Sequence, residues 1–250
     1  MEILKVLGLL INYPTAEVGA HRVDLEESIK KSREISPELR SKLLASVANI
    51  YEADIMDAQE NYGLLFDQGR SMSLHLFEHV HGESRDRGQA MVDLMEIYKQ
   101  QGFEMAALEL PDYIPLFLEY LATRPDIEAR EWLADVSHIL AQLCARLYQR
   151  GTTEDEFANH YAVMLEGLLV IAGARTQLEE IREQVALETP DNTLEAIDKE
   201  WEETAVTFGP AADACGPEKK TTVSDTQALQ WVDPNGNTPA NQSLNKRHTV

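Results

Sequence analysis

Residues 125–168 read PDIEAREWLADVSHILAQLCARLYQRGTTEDEFANHYAVMLEGL, and the spacing of their apolar residues decides the fold. Leu133, Val136, Leu140, Leu143 and Leu147 recur at steps of three and four, the period that stacks side chains on one face of an α-helix. One long helix is therefore expected after Pro125, ending at Gly151. Thr153 and Glu156 have the spacing of a capping box, which opens a second helix with Phe157, Tyr161, Met164, Leu165 and Leu168 on its buried face.

The same grammar extends outward from Ser36 to Trp201. Ser36-Pro37 supplies an N-cap and a proline at the first helical position, ahead of Leu39, Leu43, Leu44, Val47 and Ile50. Asp57 and Glu60 are spaced like a capping box before Tyr62, Leu65 and Phe66. Leu74, Phe77 and Val80 continue a helix that Gly82 ends. Ser84 caps the next, whose face is Met91, Leu94, Met95 and Tyr98 and whose stop is Gly102. Pro111 to Pro115 opens a helix carrying Phe117, Leu118 and Leu121. The last candidates hold Leu178, Ile181 and Val185, then Leu194, Ile197 and Trp201. Strand signals are nearly absent. The expectation is an all-α, single compact multi-helix domain over residues 1–208. From Gly209 the composition turns to Gly-Pro, Asp-Pro and Asn-rich segments with few large apolar residues, so 209–250 is expected to be a flexible, disordered tail, with Trp231 solvated or loosely docked.

The 250 residues carry 22 Lys and Arg against 43 Asp and Glu, a net charge of −21. The charged residues of the tail cancel, so the whole charge belongs to residues 1–208 and argues against nucleic acid or an anionic membrane surface as partner. A basic partner fits. Ile3, Leu7, Leu10 and Ile11 repeat along one face of a short helix closed by Pro14. Glu2 sits where a signal peptide wants positive charge, and no segment is long and apolar enough to span a bilayer. Cys144 lies in a helical pattern and Cys215 in the tail, which excludes a disulfide framework and a CxxC zinc site and suits a cytoplasmic protein without stable membrane insertion.

The densest polar cluster runs from Asp67 to Gln89 and admits three readings. Glu78-x-x-His81 and Asp135-x-x-His138 have the spacing of carboxylate-bridged metal bundles, but His81 abuts Gly82 and Asp replaces Glu in the second motif, so no metal site is expected. Ser84, Arg85 and Arg87 at a helix start suit an anion, set against the simpler pairing of those arginines with Glu83 and Asp86. Tyr62, Leu65, Phe66, Leu74, Phe77 and Val80 beside acidic residues suit a partner helix with an apolar face and a basic flank, set against ordinary core packing. There is no Gly-x-Ser-x-Gly elbow and no Gly-rich phosphate loop, and an enzyme is not expected.

The stretch Tyr62-Gly-Leu-Leu-Phe-Asp-Gln-Gly-Arg-Ser-Met-Ser-Leu-His-Leu-Phe-Glu-His-Val-His-Gly-Glu-Ser-Arg-Asp-Arg, continuing to Leu94, resembles the signature of NarJ-type nitrate reductase molybdenum cofactor assembly chaperones. Glu109-Leu-Pro-Asp-Tyr-Ile-Pro-Leu-Phe-Leu-Glu-Tyr-Leu121 resembles a second block of that family, with Tyr113 standing where the family pattern has histidine. Leu9 to Pro14 and Thr189 to Glu203 are also similar.

The resemblance implies a cytoplasmic, all-helical chaperone that binds the apo catalytic (alpha) subunit of nitrate reductase, including its N-terminal segment. It implies that the client is held competent for molybdenum cofactor insertion before membrane anchoring. No cofactor would be bound permanently; contact with the molybdenum cofactor would be transient and on the client. The expected client surface comprises Tyr62, Leu65, Phe66, Leu74 and Phe77 as apolar ridges, Glu78, Glu83, Asp86 and Glu119 as partners for Lys and Arg, and Arg70, His79, His81, Asp112 and Tyr113 around them. The alternative is a carrier that binds the cofactor or a nucleotide directly through Ser84, Arg85 and Arg87.

Overall fold

A helix that is apolar around its whole circumference has to be enclosed by others, and residues 158–172 form such a helix at the centre of the fold. The computed structural model describes residues 1–188, apart from 53, 83, 85, 106–108, 154, 155 and the side chain of Thr153, all within one unit, Met1–Glu203. Among the described residues the chain forms twelve α-helices: α1 (Glu2–Ile11), α2 (Ala16–Ala20), α3 (Arg22–Lys31), α4 (Pro37–Glu52), α5 (Ile55–Phe66), α6 (Leu76–His81), α7 (Asp86–Gln100), α8 (Ile114–Ala122), α9 (Asp126–Asp135), α10 (Ser137–Thr153), α11 (Ala158–Ala172) and α12 (Arg175–Val185). The protein is all-α. The only β-type pairing among these residues is an isolated antiparallel bridge between His75 and Tyr113.

Helix α11 buries Tyr161, Met164, Leu165, Leu168, Leu169 and Ile171 on all sides, and α10, α4, α9, α1 and α12 surround it. Its one buried charge is Glu166, which accepts hydrogen bonds from Tyr148 Oη at 2.6 Å and Arg175 Nε at 2.9 Å. Helix α1 packs against α8. The Met1 ammonium reaches Ala122 O at 3.4 Å, while Asn12, just past the other end of α1, bonds Tyr113 at the start of α8, so the two helices are antiparallel. Gly8 lets them approach closely: a Cβ there would lie 3.0 Å from Pro115 O and 3.3 Å from Leu118 Cβ.

Several local expectations are corrected. The helix after Pro125 is two helices, because the Ser137 hydroxyl takes the Ala134 carbonyl at 2.7 Å and the chain turns at Val136 before α10 begins. Gly151 does not end α10; it lies inside the helix, where a Cβ would collide with the Asn159 side chain. Helix α11 starts at Ala158 without a side-chain cap. The cap of α5 is Asp54, whose carboxylate accepts Met56 N–H at 2.9 Å, rather than Asp57. Ser36 does cap α4, accepting Leu39 N–H at 3.2 Å. Helices α2 and α3 were not anticipated, since α3 buries only Leu25 and Ile29 and α2 buries nothing. The expected helix over Leu194, Ile197 and Trp201, Cys215, Trp231 and the tail 209–250 lie outside the described residues.

Candidate functional site

Three stretches far apart in sequence meet at Tyr113. Its hydroxyl donates to Asn12 Oδ1 at 2.9 Å and stands 3.3 Å from the Tyr62 hydroxyl, while its ring lies 5.3 Å from that of His75. Tyr13 packs edge-on against Tyr62 at 5.4 Å. The end of α1, the α5 to α6 region and the start of α8 are thus joined through one side chain.

Asp112, fully buried, works in the opposite direction. Its carboxylate accepts Phe77 N–H at 3.0 Å and its carbonyl accepts Leu76 N–H at 3.0 Å, while Leu74 O accepts Ile114 N–H at 2.9 Å. Asp112 therefore caps α6 from across the fold, satisfying amides that a short helix leaves free. His75 Nδ1 is 3.4 Å from Asp112 Oδ1, at ion-pair distance but without hydrogen-bond alignment. Burial pushes the Asp112 carboxyl up, and the His75 ring and the Phe77 N–H outweigh it, so the group ionises below its ordinary value.

A surface groove of about 320 Å³ runs along the antiparallel pair α1 and α8. Its floor is Leu9, Leu116 and Pro115, one end is Asn12 with Tyr113, and the opposing wall is Phe103, Glu104, Met105 and Glu109. Three carboxylates, Glu104, Glu109 and Glu119, share the lining with a single cation, Lys5. The groove is apolar at its floor and negative around it.

The expected client residues separate into distinct environments. Tyr62, Leu65, Phe66 and Leu74 are in the core, which corrects their reading as open ridges: a partner cannot touch them in this conformation. The Tyr62 and Phe66 rings pack edge-to-face with Tyr161 of α11, which is where apolar residues at helical spacing go when a central helix is available. Phe77 and His81 are half-buried and in ring contact at 5.7 Å. Glu78 pairs with Arg87 at 2.9 Å, joining α6 to α7. His79 is held by Ser73 O at 2.8 Å; since a carbonyl only accepts, Nε2 carries the proton, and burial keeps the ring's pKa below its usual value. Arg70 is exposed beside the 3-10 turn at Arg70–Met72. Glu83 and Arg85 lie outside the described residues.

Of the remaining candidates, Tyr113 and Glu119 do line the groove. The anion reading loses two of its groups. The Ser84 hydroxyl accepts Asp86 N–H and donates to the Asp86 carboxylate, both at 3.2 Å, so it serves as a helix cap, and Arg87 is committed to Glu78. Among the described residues no group of three or more His, Cys, Asp or Glu is placed to hold a metal ion, and no helix is long and apolar enough to cross a membrane. Cys144 is a buried thiol donating to Ala162 O at 3.3 Å, its pKa raised by burial, as expected of a core residue.

The sequence model of the nitrate reductase delta subunit family matches residues 30–206. The chain is 43% identical over 205 residues to the nitrate reductase molybdenum cofactor assembly chaperone NarJ of Escherichia coli strain K12, covering 82% of this chain and 84% of that one. The chain belongs to the NarJ-type nitrate reductase molybdenum cofactor assembly chaperones. It is also 42% identical over 208 residues to the probable assembly chaperone NarW of the same strain, covering 83% and 84% of the two chains, and 29% identical over 175 residues to the probable NarJ of Bacillus subtilis strain 168, covering 69% and 91%. These relatives are named as assembly chaperones, not as enzymes. In this NarJ-type chain, only Tyr113 and Glu119 of the groove's lining were among the expected client residues; Lys5, Leu9, Asn12, Glu109, Leu116 and the Phe103 to Met105 stretch were among those missed. One signal was available: Leu9 falls off the apolar face of Ile3, Leu7, Leu10 and Ile11, and it is the large apolar side chain that α1 leaves exposed.

Proposed function

We propose that this chaperone binds the apo catalytic (alpha) subunit of nitrate reductase in the cytoplasm, seating its N-terminal segment in the α1–α8 groove and holding it competent for molybdenum cofactor insertion before membrane anchoring. The observation that carries this reading is the groove's composition, an apolar floor of Leu9 and Leu116 rimmed by Glu104, Glu109 and Glu119. A helix with one apolar face and a basic flank complements both features. The excess negative charge of the body speeds encounter, and burial on the floor slows release. An assembly chaperone has to let go, which fits an affinity of about 1 μM or somewhat tighter, roughly −8 to −10 kcal/mol. The cofactor is met on the client, in transient contact, and is not held by the chaperone itself.

Calorimetric titration with a synthetic peptide copying the N-terminal segment of the catalytic subunit tests the reading. Affinity should fall at least about tenfold in Leu9→Lys, equivalent to about 1.4 kcal/mol, and lose part of its salt dependence in Glu119→Lys. Unchanged binding in both variants would place the client elsewhere.

A further inference from the structure

Asp112 and Tyr113 are neighbours in the chain with side chains in different machinery. Tyr113 forms the end wall of the groove, tied to Asn12 at 2.9 Å. Asp112 holds the start of α6 by side chain and backbone, at 3.0 Å to Phe77 N and 3.0 Å to Leu76 N. The backbone at Tyr113 is paired with that at His75 in an antiparallel bridge closed by Leu76 N–H to Asp112 O at 3.0 Å and Ile114 N–H to Leu74 O at 2.9 Å, so a shift of the chain at Tyr113 is carried into the start of α6. Hydrogen bonds of this length tolerate only a few tenths of an ångström before they weaken.

Besides Asp112, helix α6 is held by the His79 hydrogen bond to Ser73 O at 2.8 Å and by the half-buried Phe77, but only Asp112 meets the amides at its start. The helix spans six residues and buries only Leu76, and a helix of that length is not stable on its own. It passes any movement to α7 through the Glu78 to Arg87 pair at 2.9 Å. The anchor can also tighten: Asp112 Oδ1 and His75 Nδ1 are buried atoms 3.4 Å apart, at ion-pair distance but without a hydrogen bond between them. A small approach would align them and add a charge-assisted hydrogen bond, so a tighter arrangement is available to the same residues.

We infer that Asp112 is a positioning residue that couples the groove wall at Tyr113 to α6, so that a segment seated in the groove tightens the start of α6 and is sensed by α6 and, through Glu78 and Arg87, by α7. The inference rests on the groove being the client site. In an assembly chaperone such coupling lets α6 and α7 report that a client is present.

Residue-resolved hydrogen exchange on the full chain, with and without the synthetic N-terminal peptide of the catalytic subunit, tests it. Peptide should protect α1 and α8 and slow exchange at the Leu76 and Phe77 amides by about threefold or more. Asp112→Ala should abolish the response at α6 while α1 and α8 remain protected, and Asp112→Asn, which keeps an acceptor for Phe77 N–H, should restore it. Protection of α1 and α8 without any change at Leu76 and Phe77 overturns the coupling and leaves the client site standing. Absence of protection at α1 and α8 overturns the client site instead, and a peptide-free variant then decides the coupling. Tyr113→Phe removes the hydroxyl contacts to Asn12 and Tyr62, and should speed exchange at Leu76 and Phe77 about threefold while α10 and α11 are unchanged. Unaltered exchange there refutes the coupling whatever the peptide does, and this arm also decides if Asp112→Ala does not fold.

Discussion

The Tyr148 hydroxyl donates to Glu166 Oε2 at 2.6 Å, in the middle of a helix that is otherwise apolar on every side beyond Asn159 and His160 in its first turn. Arg175 completes the arrangement with its guanidinium 2.9 Å from Oε1, anchoring the start of α12 to the central helix. The Arg175 side chain is 60% exposed, so its charge is partly solvated, but the carboxylate it meets is not. Tyr148→Phe should cost about 1 kcal/mol, because the carboxylate retains the arginine. Arg175→Ala leaves a buried carboxylate without its cation and should cost about 2–3 kcal/mol, below the usual figure for breaking a buried pair because solvent can reach the site. Urea denaturation of both variants measures this; equal midpoints would mean that the arginine contributes nothing beyond the phenol.

Asp112 makes stability depend on pH in a definite direction. Its folded carboxyl ionises below its unfolded value of about 3.9, so the contribution is complete above that value and disappears as pH falls through the folded one. Between pH 6 and pH 3 the wild type should therefore lose more stability than Asp112→Asn, whose amide does not titrate. Denaturation midpoints across that range give the comparison. Parallel curves would show that the Asp112 charge is not coupled to folding.

What was legible in the sequence follows the range of the forces involved. The apolar stripes of α4, α8, α10, α11 and α12 are local periodicities and were read directly, as was the Ser36 cap. The break between α9 and α10 was not legible, because Leu133 to Leu147 keep one helical phase while a single serine hydroxyl at Ser137 diverts a carbonyl. Asp112 appeared in a recognisable block, yet its action on Phe77 spans 35 residues and has no local signature. Tyr62 and Phe66 show the reverse failure. Their helical spacing was seen, but whether such a face meets solvent or a central helix depends on α11 arriving from the far end of the chain.

Gly8 sets the distance between the two helices that form the groove floor. A Cβ at this position would stand 3.0 Å from the Pro115 carbonyl oxygen, a backbone atom that cannot rotate away. Replacing glycine in a helix interior is worth up to about 1 kcal/mol in propensity, whereas forcing extra methyl groups into a packed contact costs about 1–3 kcal/mol. Gly8→Val should therefore destabilise by about 2 kcal/mol, lowering the melting temperature, and should weaken client-peptide binding by spreading α1 and α8. A melt unchanged from wild type would show that the helices separate without cost.

Charge and apolar area at the groove make separable contributions. Glu119 is exposed on the rim, so Glu119→Lys should act on encounter: association of the N-terminal peptide slows, and the difference from wild type shrinks as salt screens the rim over about 10 Å at 0.1 M. Leu9 is 38% exposed on the floor, and under the proposed function that surface is what the client would cover, so Leu9→Ala should act on release and persist at high salt. Losing most of one leucine contact corresponds to about 1–2 kcal/mol, roughly a tenfold faster dissociation. Stopped-flow or surface kinetics at two salt concentrations distinguishes the two effects. If Leu9→Ala changed only association, or Glu119→Lys only dissociation, the client would not be lying with its apolar face on the α1–α8 floor and its bases on the rim.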